Sequence, residues 1–336
     1  MHSSRSLTAM KERFVAESQD STTRPLLGIG SCLAGNAVRY NGQLKSPSRP
    51  VRDLCEYFDT RAFCPEMGIG LGVPRPPIRL VGTKDEVRIM DVETQTQDYT
   101  APIQAYADTV LKSTPEMAGY ILVKASPSCG VGRVKRYSRK GHYVASDQDG
   151  VFTSALSGGD PLLPLEDDDR LNDPALRESF VTRAFTYHRW KRLLAAGLSA
   201  GSLVEFYSRH KYLAMAHHVP SYKLLGHMMA DAGNRNIDRL KDEFIATLMT
   251  ALANPATRRS HTNVLFHLSG YLKRSISSPQ RQRLSSRIEE YRTGQIPLAV
   301  PITMLRHHFA DHPDAYIDYQ VFLEPFPRTL KLHNLV

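Results

Sequence analysis

Four cysteines among 336 residues are too few to staple a fold, and no two of them form a Cys-x-x-Cys pair, so a disulfide scaffold is excluded. No stretch approaches the ~18 consecutive apolar residues of a membrane span, which excludes a transmembrane helix. The first twenty residues, MHSSRSLTAMKERFVAESQD, lack an apolar core and carry Glu12, Glu17 and Asp20, unlike a signal or transit peptide. A cytoplasmic protein without membrane contact is expected. Tandem repeats are absent. A surplus of 43 Lys and Arg over 34 Asp and Glu leaves a net charge of +9, which admits anionic partners, nucleic acid included, and specifies none. The oligomeric state is not written in the chain.

At ~100–200 residues per domain the length predicts about two domains. Residues 1–24 are polar and rich in Ser and Thr and read as a mobile arm. Over 25–160, short apolar runs alternate with helical patterns, the signature of an α/β domain with a mostly parallel sheet. Strands are expected at Pro25 to Gly30, Thr60 to Phe63 and Gly119 to Ala125. Helices are expected from Ser48, the N-cap, to Phe58 and over 101–113, with a Gly- and Asp-rich loop at 144–158 leading into a short helix. The run GGDPLLPLEDDDRLNDP reads as the start of a linker, so 161–200 is taken as linker and connecting helix. The remainder, 201–336, predicts an all-α bundle. Amphipathic patterns fall at 202–217, 220–232, 237–253, 258–275, 279–293 and 301–310, with Gly294 as a C-cap.

Cys32, Cys64 and Cys129 each follow one of the three expected strands. The carboxyl ends of parallel strands form the ligand crevice of an open α/β sheet, so thiols placed there can converge from distant sequence positions. By spacing alone they are equally compatible with ordinary loop cysteines. Their turns are rich in Gly and Pro, backbone that can approach a bulky ligand closely. Three thiolates with no neighbouring His suit an iron–sulfur cluster better than structural zinc, and leave one iron open as a Lewis acid. Cys55 differs: Val51, Leu54, Cys55 and Phe58 make one apolar helix face, so it reads as a small core hydrophobe.

The strings SCLAGNAVRYNG, CPEMGIGLGVPRPP and SPSCG, with DGVFTSAL after them, resemble the DUF523 family, whose characterised members are thiouracil desulfidases. That resemblance covers residues 25–160 and implies a 4Fe-4S cluster on Cys32, Cys64 and Cys129 whose free iron takes a thiocarbonyl sulfur. A thiolated pyrimidine is the implied substrate. The segment SPSCGVGRVKRYSRKGH departs from the compact form usual in the family, which bears on substrate range. FYSRHKYLAMAHH, TRRSHTNVLFHLSGYLK and YRTGQIPLAVPITMLRHH resemble DUF1722, the YbgA-like domain, which brings no mechanism with it.

Desulfuration needs a base for water and a donor for the ring. Glu66 is the candidate base, the alternative being a carboxylate that caps its own turn. Ser126 is the candidate catalytic hydroxyl and Ser128 a substrate contact, or both bond the local backbone. Arg39, Lys45 and Arg75 are candidates for binding an anionic substrate, against ordinary solvated charge. Gly68, Gly70 and Gly72 lack the strand and helix context of a dinucleotide fingerprint. Ten of the 13 His lie beyond residue 200, yet no HExxH pattern marks a metal site. The segment Arg258, Arg259, His261, Asn263 and His267 reads as a phosphate- or nucleic-acid-binding face or as a solvated helix end. Two other functions fit the same residues: sulfur insertion into a nucleobase or tRNA, and an iron–sulfur redox sensor governing nucleic-acid binding by the helical half.

Overall fold

The computed structural model describes residues 24–335; the expected N-terminal arm, Arg24 apart, lies outside them. Sheet A runs β2 (Asp59–Phe63), β1 (Leu26–Gly30), β5 (Gly119–Leu122), β8 (Leu165–Asp167), with all three pairings parallel. The alternation of side chains along its central strands sorts the layers. Leu27, Ile29 and Ile121 point to one face, where they pack against Val51 and Leu54 of α1 (Arg49–Cys55) and Phe180, Val181, Ala184 and Phe185 of α5 (Pro174–Ala195). Tyr120 and Leu122 point to the other, against Ile103, Ala107 and Val110 of α3 (Thr100–Ser113) and Phe152 and Leu156 of α4 (Val151–Gly159). On this second face Gly28 makes room for a neighbour: a Cβ there would stand 2.2 Å from the Tyr120 ring.

The acidic run read as a linker supplies β8, so the sheet extends through Asp167. A second sheet, unforeseen, pairs two hairpins, β3 (Ile78–Gly82) with β4 (Val87–Asp91) and β6 (Val134–Tyr137) with β7 (Tyr143–Gln148), joined by a parallel β3–β6 contact. Its Leu80, Ile89 and Val134 belong to the same core as α3. The four-residue α2 (Pro65–Gly68) continues directly from Cys64.

The C-terminal region is helix-rich, as expected. Asp173 caps α5 by accepting from the N–H groups of Ala175 and Leu176 at 2.8 and 3.1 Å. There follow α6 (Ala200–His217), α7 (Val219–Ala230), α8 (Ile237–Leu252), α9 (Arg258–Tyr271), α10 (Ser278–Arg292) and α11 (Ala299–Asp311), with short 3-10 turns after them. Gly294 takes the left-handed conformation, φ 82°, just beyond α10. Trp190 of α5 packs edge-on against Phe206 of α6 at 5.5 Å, so α5 serves both halves. Among the described residues no helix is long and apolar enough to cross a membrane.

Candidate thiol-lined active site

Sheet A delivers its cysteines to one edge. Gly30 pairs with Phe63, so the chains leave β1 and β2 side by side: Ser31 N–H donates to the Phe63 carbonyl at 2.7 Å, and Cys32 and Cys64 follow at once. From β5 the chain turns through Ala125, a non-glycine residue at φ 57°, into Ser126-Pro127-Ser128-Cys129. Such a conformation costs on the order of 1 kcal/mol and is tolerated where surroundings fix it, often at a functional loop. Cys32, Cys64 and Cys129 line one cavity of about 340 Å³ together with Glu66, Ser126, Arg39 and Arg75. Phe63, Val123 and Ile78 supply apolar wall. Cys55 is absent from the lining and packs, half-buried, on the core under α1.

The Cys129 loop is seated on α4. Gly150 N–H donates to the Gly130 carbonyl at 2.8 Å, and the first N–H groups of α4, from Val151 and Phe152, donate to Pro127 and Ser128 at 3.2 and 2.9 Å. These orphan donors of a helix start thus satisfy the loop's carbonyls. A Cβ at Gly150 would lie 2.3 Å from the Ser128 carbonyl oxygen. The DGVFTSAL segment owes its place near the site to this contact.

Glu66 and Arg75 fasten the loops together. Arg75, 7% exposed, donates through Nε to Glu66 Oε2 at 2.6 Å, through Nη1 to the Gly72 carbonyl at 2.7 Å and through Nη2 to the Val38 carbonyl at 2.8 Å. Its own N–H donates to Tyr40. The other oxygen of Glu66 accepts from the hydroxyl of Ser128, which is wholly buried, at 2.8 Å. One guanidinium and one carboxylate therefore join the VRYNG, CPEMG, VPRPP and SPSCG segments.

The remaining candidates divide. The Ser126 oxygen accepts from the N–H groups of Ser128 and Cys129 at 3.3 and 3.2 Å, and lies 3.4 Å from Cys129 Sγ. Arg39 stands in the cavity wall. Ser128 and Lys45 do not line the cavity: Lys45 pairs with Asp168 at 2.7 Å, whose other oxygen accepts from Lys124 N–H at 2.8 Å. Asp168, at the end of β8, escaped the sequence reading because its acidic run resembles a linker. In the helical half, His210 is 1% exposed, stacked on Phe206 at 4.0 Å and bonded through Nδ1 to the Phe206 carbonyl. It is a core histidine. His261 is buried too, while Arg258, Arg259, Asn263 and His267 of the same segment are exposed, so the segment is a solvated helix face with one histidine turned inward.

Burial pushes all three thiols toward the neutral form. For Cys129 this dominates, against the Ser126 hydrogen bond. For Cys32 Lys45 works against burial, and Cys64 and Asp168 reinforce it. For Cys64 the Met67 N–H and Arg75 oppose burial while the Glu66 carboxylate adds to it. Three soft donors in one desolvated space, each resisting ionisation beside the others, fit a cationic centre that would draw off their protons. No three His, Cys, Asp or Glu side chains among the described residues are grouped to hold a single metal ion; the thiols ring a cavity, and the donor set fits a polynuclear group.

Fold and site together define an α/β region with a polythiol cavity at the carboxyl edge of its sheet, followed by a helix-rich region. Comparison with known proteins makes this specific. Residues 27–168 match the model for 2-thiouracil desulfurase, and residues 211–327 that of a protein of unknown function, DUF1722. YbgA of Escherichia coli (strain K12) is 36% identical over 158 residues, 47% of this chain and 94% of YbgA. YbbK of Bacillus subtilis (strain 168) is 31% identical over 115 residues, 31% of this chain and 72% of YbbK. The solved structure of TudS, a 4Fe-4S-dependent thiouracil desulfidase, is 28% identical and covers 46% of this chain and 99% of TudS, with a TM-score of 0.37. The chain belongs to the 2-thiouracil desulfurase (DUF523) family and carries a DUF1722 domain.

Proposed function

We propose that Cys32, Cys64 and Cys129 hold an iron–sulfur cluster and that the protein removes sulfur from a thiolated pyrimidine base, nucleoside or nucleotide, water supplying the oxygen that replaces it and sulfide leaving. The observation that carries this reading is the meeting of three thiols, from three strand ends of one parallel sheet, in a single cavity with a carboxylate and a hydroxyl. When bound, a cluster on three cysteines supplies an iron with a free position, a Lewis acid for thiocarbonyl sulfur.

The chain's own residues supply the rest. Phe63, Val123 and Ile78 give a flat ring an apolar wall and exclude bulk water. Glu66, held by Arg75 and Ser128, keeps its carboxylate oriented and accepts the proton of the attacking water. The Ser126 oxygen already accepts two backbone N–H groups, so its own proton is directed to a ring oxygen or nitrogen of the substrate. Arg39 meets an anionic substituent. Arg75, its donors spent on Glu66, Gly72 and Val38, serves as a positioning residue, and Lys45 and Asp168 brace the Cys32 side.

Anaerobic reconstitution followed by iron and sulfide counting, then by assay of sulfide release from 2- and 4-thiouracil, tests the reading. Cys32→Ala, Cys64→Ala and Cys129→Ala are each expected to lose the brown chromophore and the activity, while Cys55→Ala keeps both. A chromophore retained in one of the first three removes that residue from the ligand set. A fully loaded protein that frees no sulfide from either thiouracil rejects the desulfidase reading.

A further inference from the structure

Between the Cys32 turn and α1, residues 36–47 form neither helix nor strand, and none of them is buried. A strap with so few apolar contacts takes its path from the polar groups that pin it. Near its start the pins come from the site's own machinery. Arg75 donates through Nη2 to the Val38 carbonyl at 2.8 Å, and through its backbone N–H to the Tyr40 carbonyl at 2.9 Å. The chain then turns at Gly42, φ 73°, whose N–H donates to the Arg39 carbonyl at 2.8 Å. Toward the far end the long-range pin is Lys45, whose ammonium meets Asp168 Oδ2 at 2.7 Å.

Asp168 is a firm anchor for that pin. Its side chain is 10% exposed against 26% for Lys45, so water screens the pair less than it screens a surface pair. Its other oxygen accepts from Lys124 N–H at 2.8 Å, and its own N–H donates to the Leu122 carbonyl at 3.0 Å, which fixes the carboxylate to the end of sheet A. The strap, in turn, carries groups into the thiol cavity, which Val38, Arg39 and Tyr40 help to line. Of the basic residues in that lining, Arg75 is paired with Glu66 and Lys124 with Asp169, whereas Arg39 has no carboxylate partner among the described residues. Tyr40 beside it is 44% exposed. An uncommitted guanidinium next to an aromatic ring suits a flat heterocycle with oxygen substituents.

We propose that Asp168 is a positioning residue for the substrate: through Lys45 it holds the strap so that Arg39 and Tyr40 meet the pyrimidine. The identity of that ligand rests on the desulfidase reading.

The test compares Lys45→Met, Asp168→Asn and Lys45→Arg with the wild type in the reconstituted full chain. Asp168→Asn keeps an oxygen for Lys124 N–H and loses the charge that draws Lys45. In Lys45→Met and Asp168→Asn, hydrogen exchange over residues 39–47 should quicken about tenfold, and KM for 2-thiouracil should rise about tenfold with kcat within about twofold, at unchanged iron content. Lys45→Arg, which keeps the charge, should stay within about threefold of wild type in both. Unchanged exchange, or faster exchange with unchanged KM, overturns the proposal and leaves the desulfidase reading standing, as does a Lys45→Arg as impaired as Lys45→Met. If the loaded wild type frees no sulfide, the desulfidase reading fails, and the Kd for 2-thiouracil from equilibrium dialysis replaces KM. A Kd weakened in the two variants then supports the positioning role, and an equal Kd, or a wild type that binds none, overturns it. Should Asp168→Asn not take up iron, Lys45→Met decides alone on the same readings.

Discussion

Replacing Arg75 by Met is the sharpest probe of how the cysteine loops are held. The substitution removes the partner of a nearly buried Glu66, whose ion pair has side-chain exposures of 3% and 13%, and strips donors from the Gly72 and Val38 carbonyls. Breaking a buried pair from one side costs about 3–5 kcal/mol, and each carbonyl left dry adds about 1–3 kcal/mol where water does not reach it. The expected loss, about 4 kcal/mol or more, is a large part of a typical folding stability of about 5–15 kcal/mol. Arg75→Met combined with Glu66→Gln should recover on the order of 1–3 kcal/mol, because the stranded charge is gone. Urea unfolding of the cluster-free chain measures the wild type, Arg75→Met, Glu66→Gln and the double variant. A single substitution costing under about 1 kcal/mol, or a double variant with strictly additive losses, would refute the view that this pair clasps the site.

Gly150→Ala would drive a methyl group to 2.3 Å from the Ser128 carbonyl oxygen. It is expected to cost on the order of 1–3 kcal/mol and to lower cluster occupancy by displacing the Cys129 loop, and iron content equal to wild type after reconstitution would contradict it. Acid should destabilise the fold. Burial brings His188, His217 and His333 each down to about 4, below their unfolded value, so the unfolded chain binds more protons. Their contribution is present above about pH 6.5 and is lost as the pH falls toward about 4, up to about 3 kcal/mol each for His217 and His333 and less for His188, which solvent screens. Glu178, raised by burial to about 7, acts in the opposite sense, its contribution present at low pH and lost as pH rises. Glu178→Gln should therefore steepen the acid loss and raise stability above about pH 7. Urea midpoints measured across this range check both, and a flat wild-type profile below about pH 6.5 would show that these histidines are not held neutral.

The strands that carry the cysteines were legible because buried parallel strands read as unbroken apolar runs, and PLLGIG and GYILVK do so. The second sheet was not. VKRY buries Arg136 beside Val134, YVASDQ exposes most of its side chains, and both mix charge with apolar groups, so no period stands out. β8 hid behind its carboxylates, which Arg170 and Arg133 neutralise only once the chain has folded, at 2.7 and 2.9 Å. Strand-end topology was enough to foresee that Cys32, Cys64 and Cys129 could meet in one cavity. It was silent on the Glu66–Ser128 bond, which joins positions 62 apart, and on Lys45–Asp168, which brings the polar loop after the Cys32 turn to the end of β8. Long-range polar pairing has no local period to betray it. In the segment from Arg258 to His267 the polar residues Arg258, Arg259, Asn263 and His267 are exposed, as polar residues on a helix suggest, and only packing shows that His261 faces inward.

The double allegiance of α5 bears on how this fusion is put together. Phe180 and Phe185 roof the sheet that presents the thiols, Trp190 is embedded among the helices, and Phe326 and Leu332 from the far end of the chain return to the same roof. Scissors applied after β8 would leave Leu27, Ile29 and Ile121 with Val51 and Leu54 of α1, and nothing of α5, as cover on that side. The joint is thus a shared wall and not a tether, and a freestanding desulfurase module would have to bring a cover of its own.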